Sequence, residues 1–259
     1  MQTVVVFDCE SDGCPPSVAD DGSGRTGATR VERFQQIQCT CAVALVLDGA
    51  LLRNASRVDE AIADARKIVC WRDMPTPGAL GDCPFAALLA AFDEAVLISG
   101  FNTLSFDFPL LRKYYRSEER YRQHCLKAHD PFDDIRARTG RWVSLDTLLK
   151  SNGLATKNGM TGQDAVRLWN QVEYAECAEE RRLARQRLED YCSNDVCRTT
   201  DLITRATLTL PRYGLMPELT LPHGTFGVAA AIARALEGRA YMERARARAR
   251  APSANAQQV

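Results

Sequence analysis

Thr3-Val-Val-Val-Phe7-Asp8-Cys9-Glu10 is the stretch that decides the fold. Its β-branched run, Thr3 to Phe7, reads as a strand buried on both faces. In a strand, residues two apart share a face, so Asp8 and Glu10 project side by side. Two carboxylates that close repel one another, and one of them is driven toward protonation unless a cation compensates. Hard oxygen ligands of this kind suit Mg²⁺ or Mn²⁺. Taken alone the pair says little, because strands often end in acids where they meet solvent.

Working outward, Ser11 to Arg30 is rich in Gly, Asp, Pro and Ser and reads as an exposed, mobile loop insert. Gln36 to Leu47 returns to strand character, and Asp48-Gly49 is a hairpin turn signal. A short helix over 58–66 and a strand from Lys67 to Trp71 follow. Phe85 to Phe92 has helical spacing with Asp82 as its cap, and Ala95 to Ser99 is a second buried strand. Residues 117–141 read as charged and irregular, with a helix near 118–127. Ser144 is the N-cap of the next helix, and Gln163 to Trp169 a short one. Glu176 to Ala206 contains no Pro or Gly and reads as one long helix; an apolar helix spans Phe226 to Leu236. Strands cluster early and helices dominate later, which suits an α/β fold with a mixed sheet flanked by helices.

Two further sites carry polar side chains where the chain turns or packs. Gly100-Phe-Asn-Thr-Leu-Ser-Phe-Asp107-Phe-Pro follows the second buried strand and puts Asp107 near a helix start. Asp190-Tyr191-Cys-Ser-Asn-Asp195 sits on the long helix, where Tyr191 and Asp195, four apart, share a face. Singly, Asp107 is explained by the helix dipole and Asn102 by turn formation.

Together and in this order, the three sites resemble the motifs of the DEDDy family, ribonuclease H-like 3′→5′ exonucleases. The wording is similar to that of the proofreading domain of family B DNA polymerases and its stand-alone relatives: F-D-x-E, G-[FY]-N-x-x-x-F-D-x-P-x-L and Y-C-x-x-D. The match runs from Val4 to about Leu202. Ser144-Leu-Asp-Thr-Leu-Leu, Lys157-Asn-Gly-Met and Ala165-Val-Arg-Leu-Trp169 are similar to the helical segment of stand-alone members. The chain departs from the pattern in the insert at 11–30.

The resemblance implies a ribonuclease H-like exonuclease domain over 1–210, a helical extension over 211–243 packed on it, and a disordered Arg-rich tail over 244–259. It implies two divalent ions, Mg²⁺ or Mn²⁺. Asp8 would bridge them, with Glu10 and Asp195 completing one site and Asp107 holding the other. One ion would activate a water, the second would stabilise the leaving 3′ oxygen, and Tyr191 would aim the water. Asn102, Phe106, Phe101 and Lys157 are the expected substrate contacts, with Phe108 a further stacking candidate. The expected partner is a single-stranded nucleic-acid 3′ end, DNA before RNA. An RNA-trimming exonuclease and a catalytically silent binding module are the alternatives.

Composition sets the remaining bounds. Net charge is zero, so the molecule is not a polycation built to coat nucleic acid, although 28 of its 33 basic residues are arginine. Arg234 to Arg250 carries a local charge of +4, a patch that suits a phosphate backbone as well as a solvated helix end. Ten cysteines form no C-x-x-C pair, and Cys39 and Cys41 read as core residues. With no export signal or apolar run of the ~20 residues a span needs, an intracellular, soluble protein is expected. Asp133, Asp134 and Asp146 are near-misses for the acidic site. His124, Cys125 and His129 lack a fourth ligand at zinc spacing.

Overall fold

The computed structural model describes residues 2–13, 34, 36–52, 55–74, 83–156, 159–205, 207–222 and 229–237. Five strands form one sheet: β1 (Thr3–Ser11), β2 (Cys39–Asp48), β3 (Arg66–Trp71), β4 (Leu97–Ser99) and β5 (Ala128–His129). Their order is β3-β2-β1-β4-β5. The β1–β2 and β2–β3 pairs are antiparallel, whereas β1–β4 and β4–β5 are parallel. This is a mixed sheet with flanking helices, the ribonuclease H-like α/β architecture expected.

β1 alternates cleanly between two cores. Val4 and Val6 enter one, shared with α7 (Gly162–Tyr174) and α8 (Ala178–Ile203). Val5, Phe7 and Cys9 enter the other, beneath α2 (Ala86–Glu94) and α3 (Asp107–Leu111). A strand buried on both sides must be nearly all apolar, as the sequence suggested. By the same alternation Asp8 and Glu10 fall on the side of Val4 and Val6, toward α8.

α8 presents a buried stripe of Ala184, Leu188, Tyr191, Cys192, Asp195, Val196, Thr199 and Thr200, the spacing of a helix packed on a sheet. Its remaining surface carries Arg182, paired with Glu179, and Arg185, paired with Asp73. α7 starts on a capping box in which Thr161 and Asp164 bond each other's backbone N–H, and it extends to Tyr174, well past Trp169.

The structure corrects several readings. Asp48-Gly49 is not a two-residue hairpin turn: Asp48 accepts the Ala50 N–H and starts a helical turn, Gly49–Leu52, and α1 (Val58–Ala63) follows before β3. Ser11 belongs to β1 and is buried, and Asp12 pairs with Arg72 and takes the Gln38 N–H, so the expected loop starts later. Residues 14–30 of it lie outside the described residues.

The stretch at 117–141 is ordered as α4 (Glu118–Leu126), β5 and α5 (Pro131–Thr139). α5 has explicit punctuation, with Asp130 as N-cap, Pro131 at its first turn and Gly140 in the left-handed region at its end. Its charged surface hid the buried Phe132 and Ile135.

α6 (Leu145–Ser151) starts at Ser144 as anticipated, the side chain accepting the Thr147 N–H. Beyond α8, β6 (Thr207–Leu210) and β7 (Leu219–Pro222) form a hairpin, so the stretch after 210 is not purely helical. Residues 229–237 are helical and bury Ala231 and Ile232 in the core shared by α7 and α8. The cap Asp82 and the tail at 244–259 lie outside the described residues. Among the described residues, no helix is long and apolar enough to cross a membrane.

Gly100 sits where β4 leaves the sheet beside β1. A Cβ there would stand 2.6 Å from the Phe7 carbonyl oxygen and 2.2 Å from Thr103 Cγ2. Gly100→Ala is therefore expected to cost about 1–3 kcal/mol of stability. A lowered urea midpoint with unchanged slope is the expected readout, and an unchanged midpoint would show that the junction relaxes freely.

Candidate active site

The end of β1 gathers three distant segments. The first is the strand itself, which carries Asp8, half-buried, and Glu10, buried. The second arrives from the loop after β4. Asp107, 1% exposed, accepts the Cys9 backbone N–H at 2.7 Å, so its carboxylate is fastened between the two acids of β1. The third is α8, whose Cys192 Sγ lies 3.3 Å from the Asp8 carbonyl oxygen and 3.4 Å from Asp8 Oδ2. Tyr191 and Asp195 flank Cys192 on the same buried stripe, at 6% and 4% exposure.

Burial pushes the Asp107 carboxyl well above the usual carboxylate range, and the nearby Asp8 charge adds to it. The hydrogen bond from the Cys9 N–H pulls the other way without cancelling them. Burial likewise holds the Cys192 thiol well up, with Cys41 and Asp8 contributing. Its Sγ donates toward Asp8 Oδ2.

Ligand atoms of Asp8, Glu10 and Cys192 lie within 4.8 Å of one another. Asp8 and Glu10 offer oxygens, and hard divalent cations take oxygens. The Asp8 charge also repels that of Asp107, and a cation held near them would relieve this repulsion. The residues present therefore fit a divalent cation.

A cleft of about 880 Å³ reaches α8 at Tyr191 and is lined among others by Phe101, Asn102, Phe132 and Trp142; none of the four acids lines it. Asn102 has φ +64°, the left-handed region that Asn tolerates, and its carbonyl accepts the Ser105 and Phe106 N–H groups. It is thus a turn former that also borders the cleft. Phe101 borders the cleft as well. Phe106 does not line it: its ring packs edge-on against Phe34, with centroids 5.8 Å apart, in the core under α2 and α3. Phe108 is fully buried against Phe7 and Phe92. Lys157 lies outside the described residues.

Sequence reading gave Asp130 no role. Its carboxylate accepts the backbone N–H groups of Asn102, Leu104 and Phe132 at 2.8, 3.0 and 3.0 Å, holding the loop that delivers Asp107 against the start of α5. Burial pushes its carboxyl up to about 6 despite those bonds. The Asp130-Pro131 dipeptide was the available signal, and it read only as charge in an irregular stretch.

The zinc candidates are engaged elsewhere. His124 Nδ1 lies 2.9 Å from Tyr115 Oη and its Nε2 2.8 Å from Asp93, while His129 Nδ1 is 3.1 Å from Ser99 Oγ. Asp146 pairs with Lys150 at 2.7 Å on the rim of the cleft.

A carboxyl held above its unfolded value of 3.8 stabilises the fold most below that pH and loses stability as pH rises through the raised value. In metal-free protein, Asp107→Asn is therefore expected to raise Tm at pH 8 by about 3 °C and to matter little at pH 4. Thermal melts in chelator at both pH values check this. Superimposable melts at pH 8 would mean that the carboxyl carries no strain.

A comparison with curated proteins returns no match. Residues 84–207, which span α2 to the start of β6 and include Asp107, Tyr191 and Asp195, match the family described as the RNase H superfamily. That superfamily consists mostly of metal-dependent nucleases and implies a role in hydrolysing or binding nucleic acid. The match covers a little under half of the chain and is to that superfamily alone.

Proposed function

We propose that this protein is a 3′→5′ exonuclease of the DEDDy type, removing nucleoside 5′-monophosphates from the 3′ ends of single-stranded DNA. The observation that supports it is the convergence at the end of β1. Asp107 is bonded to the backbone between Asp8 and Glu10, and Cys192, flanked by Tyr191 and Asp195, touches Asp8. Asp8, Glu10, Asp107 and Asp195 would hold two divalent cations. Cations held there supply Lewis acidity and neutralise phosphate charge.

The chain's own groups do the rest. The Asp107–Cys9 bond and the Cys192–Asp8 contact set the spacing of the acids before substrate arrives. Tyr191 borders the cleft, where its hydroxyl holds the attacking water in line with the terminal phosphorus. Water adds to phosphorus, the bond to the 3′ oxygen of the preceding nucleotide breaks, and that oxygen takes up a proton. The products are a nucleoside 5′-monophosphate and a strand one residue shorter with a new 3′-hydroxyl. Asn102 and Phe101 border the space for the terminal nucleotide.

End-labelled single-stranded DNA, duplex DNA and RNA, incubated with Mg²⁺ or Mn²⁺, test the reading. Single-stranded DNA should be shortened from its 3′ end fastest. Faster trimming of RNA would reassign the substrate, and strand binding without mononucleotide release under either metal would defeat the exonuclease reading.

Asp8→Asn is expected to lower the rate by about 10²–10³-fold without loss of fold. Tyr191→Phe should lower it by about 10–100-fold and leave metal-induced stabilisation intact. An unchanged rate in the phenylalanine variant would remove the tyrosine from water positioning.

A further inference from the structure

One wall of the cleft continues past Phe101, beyond the space assigned above to the terminal nucleotide. Phe101, Phe132 and Trp142 run edge to face along it, with centroids 5.7 Å apart at the first step and 5.4 Å at the second. They come from three separate places: the loop after β4, the first turn of α5, and the segment joining α5 to α6. Phe132 is buried, Phe101 is half-buried, and Trp142 is 55% exposed. A lone exposed aromatic is ordinary on a protein surface. Here the exposed ring ends a ladder of rings inside a cleft, and Arg136 lays its guanidinium over it at 4.0 Å from the centroid. The other two tryptophans, Trp71 and Trp169, are buried.

The geometry points to Trp142, backed by Arg136, as a stacking platform for one base of a single strand, at a nucleotide internal to the terminal one. This rests on the exonuclease reading above, in which the terminal nucleotide lies by Tyr191. Every base has a π-face, so an exposed indole grips a strand whatever its sequence. The guanidinium polarises the ring and attracts phosphate. Each step of the ladder exceeds the ~3.4 Å rise of a stacked strand. Phe132 separates Trp142 from Phe101, which places the two outer rings to meet different bases. The polar rim of the cleft, with Ser144, Thr161 and the Asp146–Lys150 pair, suits a hydrated strand better than an apolar protein segment.

The test uses the full chain with Ca²⁺ in place of Mg²⁺ and two fluorescent probes: an eight-residue thymidine strand and its abasic counterpart of equal length. Trp142→Ala should weaken binding of the thymidine strand about 10-fold and leave the abasic strand unchanged, while Trp142→Phe recovers most of the loss. With Mg²⁺, the alanine variant should raise KM for the thymidine strand at constant kcat. It should leave hydrolysis of the p-nitrophenyl ester of thymidine 5′-monophosphate, a one-nucleotide probe, untouched.

Equal affinity of wild type and Trp142→Ala for the thymidine strand overturns the platform. So does an equal loss for both strands, which would mark a structural role, and so does a wild type that binds neither strand. If the wild type releases no mononucleotide but Trp142→Ala still selectively weakens the thymidine strand, the exonuclease reading falls and the platform stands. If cleavage is normal and the variant is indistinguishable from wild type, the reverse holds.

Discussion

The side chains of a strand have a period of two, and β1 spends that period entirely on burial. Val4 and Val6 go to the core under α8, while Val5, Phe7 and Cys9 go to the core under α2 and α3. Neither set can change sides without repacking both cores and turning the two acids into the core under α2 and α3, so the register is strongly held. That alternation sends Asp8 and Glu10 toward α8. Reading the same residues one position out of register would aim both acids at Phe92 and Phe108.

The second constraint is how Asp107 is delivered. β4 is only three residues long and ends at a glycine pressed on the Phe7 carbonyl. The chain then passes through the left-handed Asn102 and is gripped by Asp130 before α3 begins with Asp107. A buried carboxylate that accepts three backbone N–H groups is a rigid clamp, because losing it would strand those donors away from water. Asp107 is thus placed by its own bond to Cys9 and by a loop that β5 and α5 hold from the far side.

α8 shows the cost of building a polar site into a packed helix. Its buried stripe is apolar at Leu188 and Val196 but carries Tyr191 and Asp195 between them. Burying a carboxylate is unfavourable unless it is paired or bound to a cation. Cys192 occupies the same stripe with a group that packs like a hydrophobe yet donates toward Asp8. The site is therefore assembled at the seam where the strand's acid face meets the helix's stripe.

Much of this was legible in the residues alone. The doubly buried strand, the shared face of Asp8 and Glu10, the long helix and its Tyr191–Asp195 spacing all follow from local periodicity, which each segment carries in itself. Strands clustered early with helices after them were enough to suggest a mixed sheet flanked by helices. Three features depended on tertiary structure, because they depend on which segments meet.

Asp130 reads as one acid among several until its carboxylate is seen against a loop 26 to 28 residues away. Phe101, Phe106 and Phe108 are indistinguishable by type, and only packing sends the first to the cleft, lays the second half-buried against the core under α2 and α3, and buries the third within it. Trp142 follows the stretch that reads as charged and irregular, and its ladder with Phe132 and Phe101 exists only because α5 docks beside the loop after β4. Periodicity is a property of one segment, whereas contact between segments is set by the sheet order that brings them together.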